Sequence, residues 1–210
     1  MKTVFMLLAA AAILTACSSP KNTYYTLNAP DLPATTALTH KTRVMVGPVT
    51  VPSLVDSPQL VLKDSANQVT IYEYHRWAGS LKTDIERVVA ADLSRDLVSP
   101  NIWSYSQSPF AQFDYQVFID VQNMECKLGD TVSLDVLWTV KPTADKASKG
   151  GSEGKTALKP SGCVAKSQVV TGRSVVREPV SGDGFDALVA AQSRAFDKVS
   201  DEIAKVICTD

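Results

Sequence analysis

Four thiols and two imidazoles are the side chains on which chemistry would most readily rest: Cys17, Cys126, Cys163 and Cys208, with His40 and His75. Cys17 has the most specific surroundings. It closes the run Leu14-Thr15-Ala16-Cys17 and is followed by Ser18 and Ser19. Small residues before a cysteine resemble a bacterial lipobox, where the peptide must enter a signal peptidase and only a thiol accepts the diacylglyceryl group. Lys2 and an apolar run of about 13 residues from Val4 to Ala16 precede it, too short for the roughly 20 residues that cross a bilayer. Residues 1–16 are therefore expected to be a cleaved lipoprotein signal peptide, and Cys17 the lipidated N-terminus carrying palmitate-type acyl chains. Several chains anchor firmly where one would be marginal. Ser18 stands where an Asp would signal inner-membrane retention, so the expected location is the periplasmic face of the outer membrane.

The remaining thiols face an oxidising compartment, where disulfides form. Three cysteines leave one unpaired. If the last three strands form an antiparallel meander, Cys163 and the C-terminal Cys208 come to the same end, and Cys126 to the other. A Cys163 to Cys208 bridge is expected on that topology, closing a loop of about 45 residues and contributing on the order of 4 kcal/mol. Another pairing, or none, stays open. With no CxxC spacing, neither a metal nor a cofactor is expected.

Glu73, His75 and Arg76 are an attractive trio for acid–base work, yet they read more simply as alternating residues of a strand edge, with no positioned nucleophile beside them. His40 lies in a linker, and no G-x-S-x-G elbow exists. Gly151-Ser152-Glu153-Gly154-Lys155-Thr156 ends like a phosphate-binding loop, but Lys149 stands where the first glycine is required and Pro160 follows where a helix must open. No catalytic constellation survives, and the chain is not expected to be an enzyme.

These residues must be positioned by a domain of ordinary composition. Of 210 residues, 45% are hydrophobic and 20% charged, and 21 Lys and Arg against 22 Asp and Glu give a net charge of -1. Nucleic acid, which needs a basic footprint, is not expected as a partner on that balance. Loss of residues 1–16 leaves a body of about −2, unsuited to polybasic adhesion, so acyl chains should do the anchoring. Residues 17–42 read as a tether with a short strand at Tyr24 to Leu27 and a Pro-rich connection. The main domain, 43–210, follows. Alternation marks strands over Arg43 to Val51, where Pro48 demands an edge or a bulge, and over Gln59 to Leu62 and Val69 to Tyr74, with Lys63 to Asn67 as the turn.

Leu81, Ile85, Val88, Val89, Asp92, Asp96 and Leu97 recur at helical spacing after an N-capping Ser80, until Pro100. Tyr115 to Met124, Val132 to Val140 and Val164 to Val176 read as strands, the first two joined at Leu128-Gly129-Asp130. A last helix, Gly184 to Val206, is capped by Asp183 and striped by Phe185, Leu188, Val189, Phe196, Val199, Ile203 and Val206. Residues 142–162 are polar and read as a hairpin insertion. The fold class is α/β or α+β: one domain, a mixed and mostly antiparallel sheet with two amphipathic helices packed on it.

The run Val51-Pro52-Ser53-Leu54-Val55-Asp56-Ser57-Pro58-Gln59-Leu60-Val61, then Asn67, Arg76-Trp77-Ala78, Leu81 and Asp92-Leu93, resembles the signature of the ABC-type transport auxiliary lipoproteins of the PqiC (YmbA) type. Tyr24-Tyr25-x-Leu27 and the last helix match in order, so the resemblance spans most of residues 22–207. The polar hairpin and the three extra cysteines depart from it. The resemblance implies a non-enzymatic outer-membrane lipoprotein and a ring-type homo-oligomer. It also implies docking with an MCE-type periplasmic protein, or with ABC transporter components, that moves phospholipid or other hydrophobic molecules between membranes. Pro52, Leu54, Asp56, Pro58 and Gln59 are the candidate partner contacts; alternatively the prolines only shape a turn and Leu54 fills the core. Trp77 reads as a core or capping aromatic. A lipoprotein that itself carries a hydrophobic ligand is the other reading.

Overall fold

The two stretches of three- and four-residue apolar spacing fold as helices α1 (Leu81–Asp96) and α2 (Gly184–Ala204) in the computed structural model, which describes residues 20–29, 42–107, 112–143 and 168–207. Ser80 and Asp183 stand at the two N-caps with extended backbone, but neither side chain bonds the first turn. Helix α1 stops at Asp96, before Pro100: Leu97 caps it, and Val98, with φ 50, turns the chain away. Buried faces of both helices carry the residues that periodicity selects, among them Ile85, Val89 and Leu93 on α1 and Leu188, Phe196, Val199 and Ile203 on α2.

Strands β1 (Thr23–Tyr25), β2 (Val44–Thr50), β3 (Gln59–Ser65), β4 (Gln68–Trp77), β5 (Ile102–Ser104), β6 (Tyr115–Cys126), β7 (Thr131–Pro142) and β8 (Val170–Pro179) complete the described elements. The fold is the expected mixed α/β single domain, but its strands divide into two sheets where one was expected. The smaller has order β1-β4-β3, the larger β5-β2-β6-β7-β8. The meander β6-β7-β8 is antiparallel throughout, whereas β2 pairs in parallel with both β5 and β6, and β1 in parallel with β4. Of the two options that Pro48 left for β2, the bulge is the one realised. The strand is internal, and its register on β6 shifts between Val46 and Val49 so that Pro48 need not donate.

Several bounds differ from the sequence reading. The β3–β4 strands continue through Lys63 and Ser65, leaving Ala66-Asn67 as the turn. Strand β8 begins at Val170 and runs to Pro179. The short β5 was not expected at all. Gly129 takes φ 67 at the β6–β7 turn, where Asp130 N donates to Lys127 O at 3.2 Å, a conformation that suits glycine. Cys17, His40, Cys163, Cys208, the Gly151 to Thr156 motif and nearly all of the 142–162 hairpin lie outside the described residues.

Helix α1 packs on β2 and β5, α2 on β7 and β8, and the helices pack on each other, while β3 of the small sheet approaches β6. Alternation along β7 puts Val132, Leu134, Val136, Trp138 and Val140 into this core. Gly172 on β8 lies opposite Trp138, where a Cβ would sit 2.1 Å from the indole ring. The indole N–H donates to Ser174 Oγ at 2.9 Å, and that hydroxyl continues to Glu202.

Candidate functional site

The candidate contact segment is a braced turn. Pro52 O accepts from Val55 N at 3.0 Å and from Asp56 N at 3.2 Å, and Pro58 O accepts from Trp77 N at 2.7 Å, tying the loop's end to β4. Asp56 pairs with Lys82 in the first turn of α1 at 2.7 Å. Gln59 Nε2 donates to Glu73 at 3.2 Å, and Ser57 Oγ to the Gln59 carbonyl at 3.1 Å. Asp56 and Gln59 thus spend their polar groups inside the domain. Val55, 7% exposed, is the core plug; Leu54 is 50% exposed and Pro58 is also in solvent. The alternative in which Leu54 fills the core is therefore not what the fold does, because the tight turn closed on Pro52 O points Val55 inward instead. Trp77 is buried, as expected.

Leu54 stands at the rim of an open groove of about 210 Å³, lined also by Val61, Val69, Met124 and Cys126. Behind it a cavity of about 10 Å³ reaches Cys126 and Gln192. That is room for roughly one water molecule. Gln192 Nε2 donates to Cys126 Sγ at 2.9 Å, while its Oε1 is buried without a partner. Cys126 is a free thiol. Burial pushes it up to about 11, with Glu125 adding and the Gln192 bond opposing, so it is neither nucleophile nor ligand near neutral pH.

The Glu73, His75 and Arg76 trio does not assemble. His75 Nδ1 meets the Tyr25 hydroxyl at 2.8 Å, whereas Glu73 binds Gln59 and Arg76 reaches the Glu73 carbonyl at 3.5 Å. The imidazole stacks on Phe185 with ring centroids 3.8 Å apart, and Tyr72 meets Phe185 edge-on at 4.8 Å. This aromatic group seats the first turn of α2 on the small sheet. Burial and the nearby Asp186 raise the Tyr25 phenol above its ordinary value, so it stays a neutral hydroxyl.

The helix interface holds a polar group that sequence reading placed on the helix face without assigning it a role. Arg95 reaches Asp197 of α2 at 2.6 Å and Asp96 at 2.8 Å, and lies 3.5 Å from Asp92. Asp92 is fully buried and accepts from Ser200 Oγ at 3.4 Å. Burial foremost, then the Asp197 charge, pushes its carboxyl up to about 7 against the pull of Arg95, with Asp96 adding. The signal available in sequence was two aspartates at apolar-face positions of α1.

No helix among the described residues is long and apolar enough to cross a membrane. A family model described as the ABC-type transport auxiliary lipoprotein component matches residues 25–204. No curated protein matches the chain. Among solved structures, an uncharacterized protein is similar with 18% identity and a TM-score of 0.64, covering 88% of this chain and 97% of that one. A Xanthomonas campestris protein of the DUF330 family has 16% identity and a TM-score of 0.61, covering 87% of this chain and 93% of its own. At such identities these two establish likeness of fold.

Proposed function

We propose, from the premise that this chain belongs to the family of ABC-type transport auxiliary lipoprotein components, that it is a non-enzymatic outer-membrane lipoprotein serving an intermembrane transport system. The family is one of transport auxiliaries and not of enzymes. In this reading residues 1–16 are removed, Cys17 carries the acyl anchor, residues 17–42 tether the body, and 43–210 form the working domain, pinned by a Cys163 to Cys208 bridge. Copies of the domain assemble into a homo-oligomer on the periplasmic face. Together they dock an MCE-type periplasmic protein, or transporter components, that passes phospholipid or another hydrophobic molecule.

The observation that carries the docking role is the braced turn, with Leu54 half exposed on a loop held at both ends. A preorganised apolar side chain loses little entropy when a partner covers it. Pro52, Asp56, Pro58 and Gln59 then act as the frame presenting Leu54. The groove beside it is smaller than the roughly 300–1,000 Å³ of sites that enclose a ligand, which favours docking over carriage by a single chain. A photo-crosslinking residue at position 54 in cells, with mass spectrometry of captured proteins, tests this. Recovery of an MCE protein or a transporter component is the expected result; abundant protein that captures neither refutes it. The intact mass of detergent-extracted protein tests the anchor, which an unmodified Cys17 refutes.

A further inference from the structure

The small sheet has one face toward the core, and its other face carries several large apolar side chains among a few charged ones. Leu60 and Tyr72, paired across β3 and β4, turn inward, so Ile71 and Val69 of β4 turn outward, while Val61 and Lys63 opposite them are half-buried beside β6 at the Leu54 groove. At the other end Tyr25 and Trp77 turn inward and Tyr24 pairs with Arg76 on the outer face. Tyr24 is 60%, Ile71 53%, Tyr74 47% and Val69 41% exposed. Lys63 is neutralised there by its ion pair with Glu125.

Where the chain enters this sheet selects its neighbour. Thr23 is the first residue of β1, and β1 is parallel to β4, with Thr23 opposite His75. The tether therefore arrives from the side of β4 that carries Ile71 and Val69. From Cys17 to Thr23 are six chain steps, at most about 21 Å fully extended. An acyl chain on Cys17 thus keeps this sheet near the bilayer at a local concentration in the range of roughly millimolar, enough to populate contacts too weak to hold a free protein. Tyrosines flanked by aliphatic side chains are the composition that settles at the headgroup boundary.

We infer that the outer face of the β1-β4-β3 sheet, through Tyr24, Val69, Ile71 and Tyr74, lies against the leaflet that holds the Cys17 anchor. The contact orients the domain. It leaves the Leu54 turn at the edge of the membrane-facing sheet and the helices turned away from the lipid. The inference rests on the acylation of Cys17 proposed above.

Hydroxyl-radical footprinting of the lipidated mature protein in vesicles of phosphatidylethanolamine and phosphatidylglycerol tests it, with unlipidated Cys17→Ser protein as reference. Oxidation of Tyr24 and Tyr74 should fall about five-fold or more in the vesicles. Leu128 and Val175, exposed elsewhere, should not change. Ile71→Asp should restore Tyr74 oxidation with Cys17 still acylated and the thermal midpoint unchanged. Acylated protein whose two tyrosines stay as reactive as in the reference overturns the inference alone. An unmodified Cys17 overturns the anchor and the inference together. Protection that appears on concentrating the Cys17→Ser protein without vesicles assigns the face to a second copy, and also overturns it.

Discussion

Replacing Asp92 by Asn should remove much of this protein's stability change between acid and mildly alkaline pH. Asp92 is buried where α1 crosses α2, and the groups acting on it are Arg95 and Asp96 on its own helix and Asp197 and Ser200 on the other. One guanidinium serves three carboxylates, and it binds Asp197 and Asp96 more closely than Asp92. The carboxyl of Asp92 is pushed up to about 7 in the fold from an ordinary value of 3.8. The folded state therefore holds a proton that the unfolded chain has released. Its stabilising share is full below about pH 4, shrinks as pH rises, and is gone once pH passes about 7. Each pH unit in that window is worth about 1.4 kcal/mol, and coupling to Asp96 and Asp197 spreads the titration, so the whole loss is on the order of 2–4 kcal/mol. Burial also raises Asp96, against the pull of Arg95, and it adds in the same direction.

The assay is urea unfolding followed by tryptophan fluorescence at about pH 5, 6, 7 and 8, on protein beginning at Ser18, with and without Asp92→Asn. An amide keeps the shape and cannot ionise. The variant should gain on the wild type by about 2 kcal/mol or more between the lowest and highest pH, other carboxylates cancelling in the difference. A stability difference that is constant with pH would refute the reasoning, whatever its sign.

Further outcomes follow from the packing. Gly172→Ala should lower stability by about 1–3 kcal/mol and red-shift the fluorescence, because its Cβ would overlap the Trp138 ring and displace the indole from Ser174; an unshifted spectrum with unchanged unfolding would count against it. Val55→Ala should cost about 1–2 kcal/mol in chemical unfolding, while Leu54→Ala stays within about 0.5 kcal/mol. The reverse order would show the turn seated differently. Peptide mapping after maleimide treatment should find Cys126 unlabelled in native protein and labelled in urea, since burial both covers it and pushes its thiol up to about 11; rapid native labelling would contradict this.

Local patterns carried much of the fold. The spacing of Ile85, Val89 and Leu93, and of Leu188, Phe196, Val199 and Ile203, required helices, and alternation with glycine at 129 required the first hairpin of the meander. Strand β5 escaped because three residues, Ile102 to Ser104, show no periodicity; parallel pairing with β2 holds them extended. Division into two sheets escaped for a related reason. The β1–β4 and β2–β6 pairings join segments some 50 and 70 residues apart, and no local pattern encodes a partner at that distance. Within the contact segment the residues were legible but their directions were not: Val55, not Leu54, enters the core, and Asp56 and Gln59 bind Lys82 and Glu73.

By itself the sequence determined the family, the two helices, the meander and the expectation of a lipid at Cys17, because these depend on residue type and on spacing within a few turns or strands. Only the tertiary structure decided that His75 stacks on Phe185 and pairs with Tyr25, that Asp92 loses its water at a helix crossing, and that Tyr24, Ile71 and Tyr74 share an outward face. Each of these depends on which distant segment covers a side chain, and burial sets both its protonation and its availability to a partner.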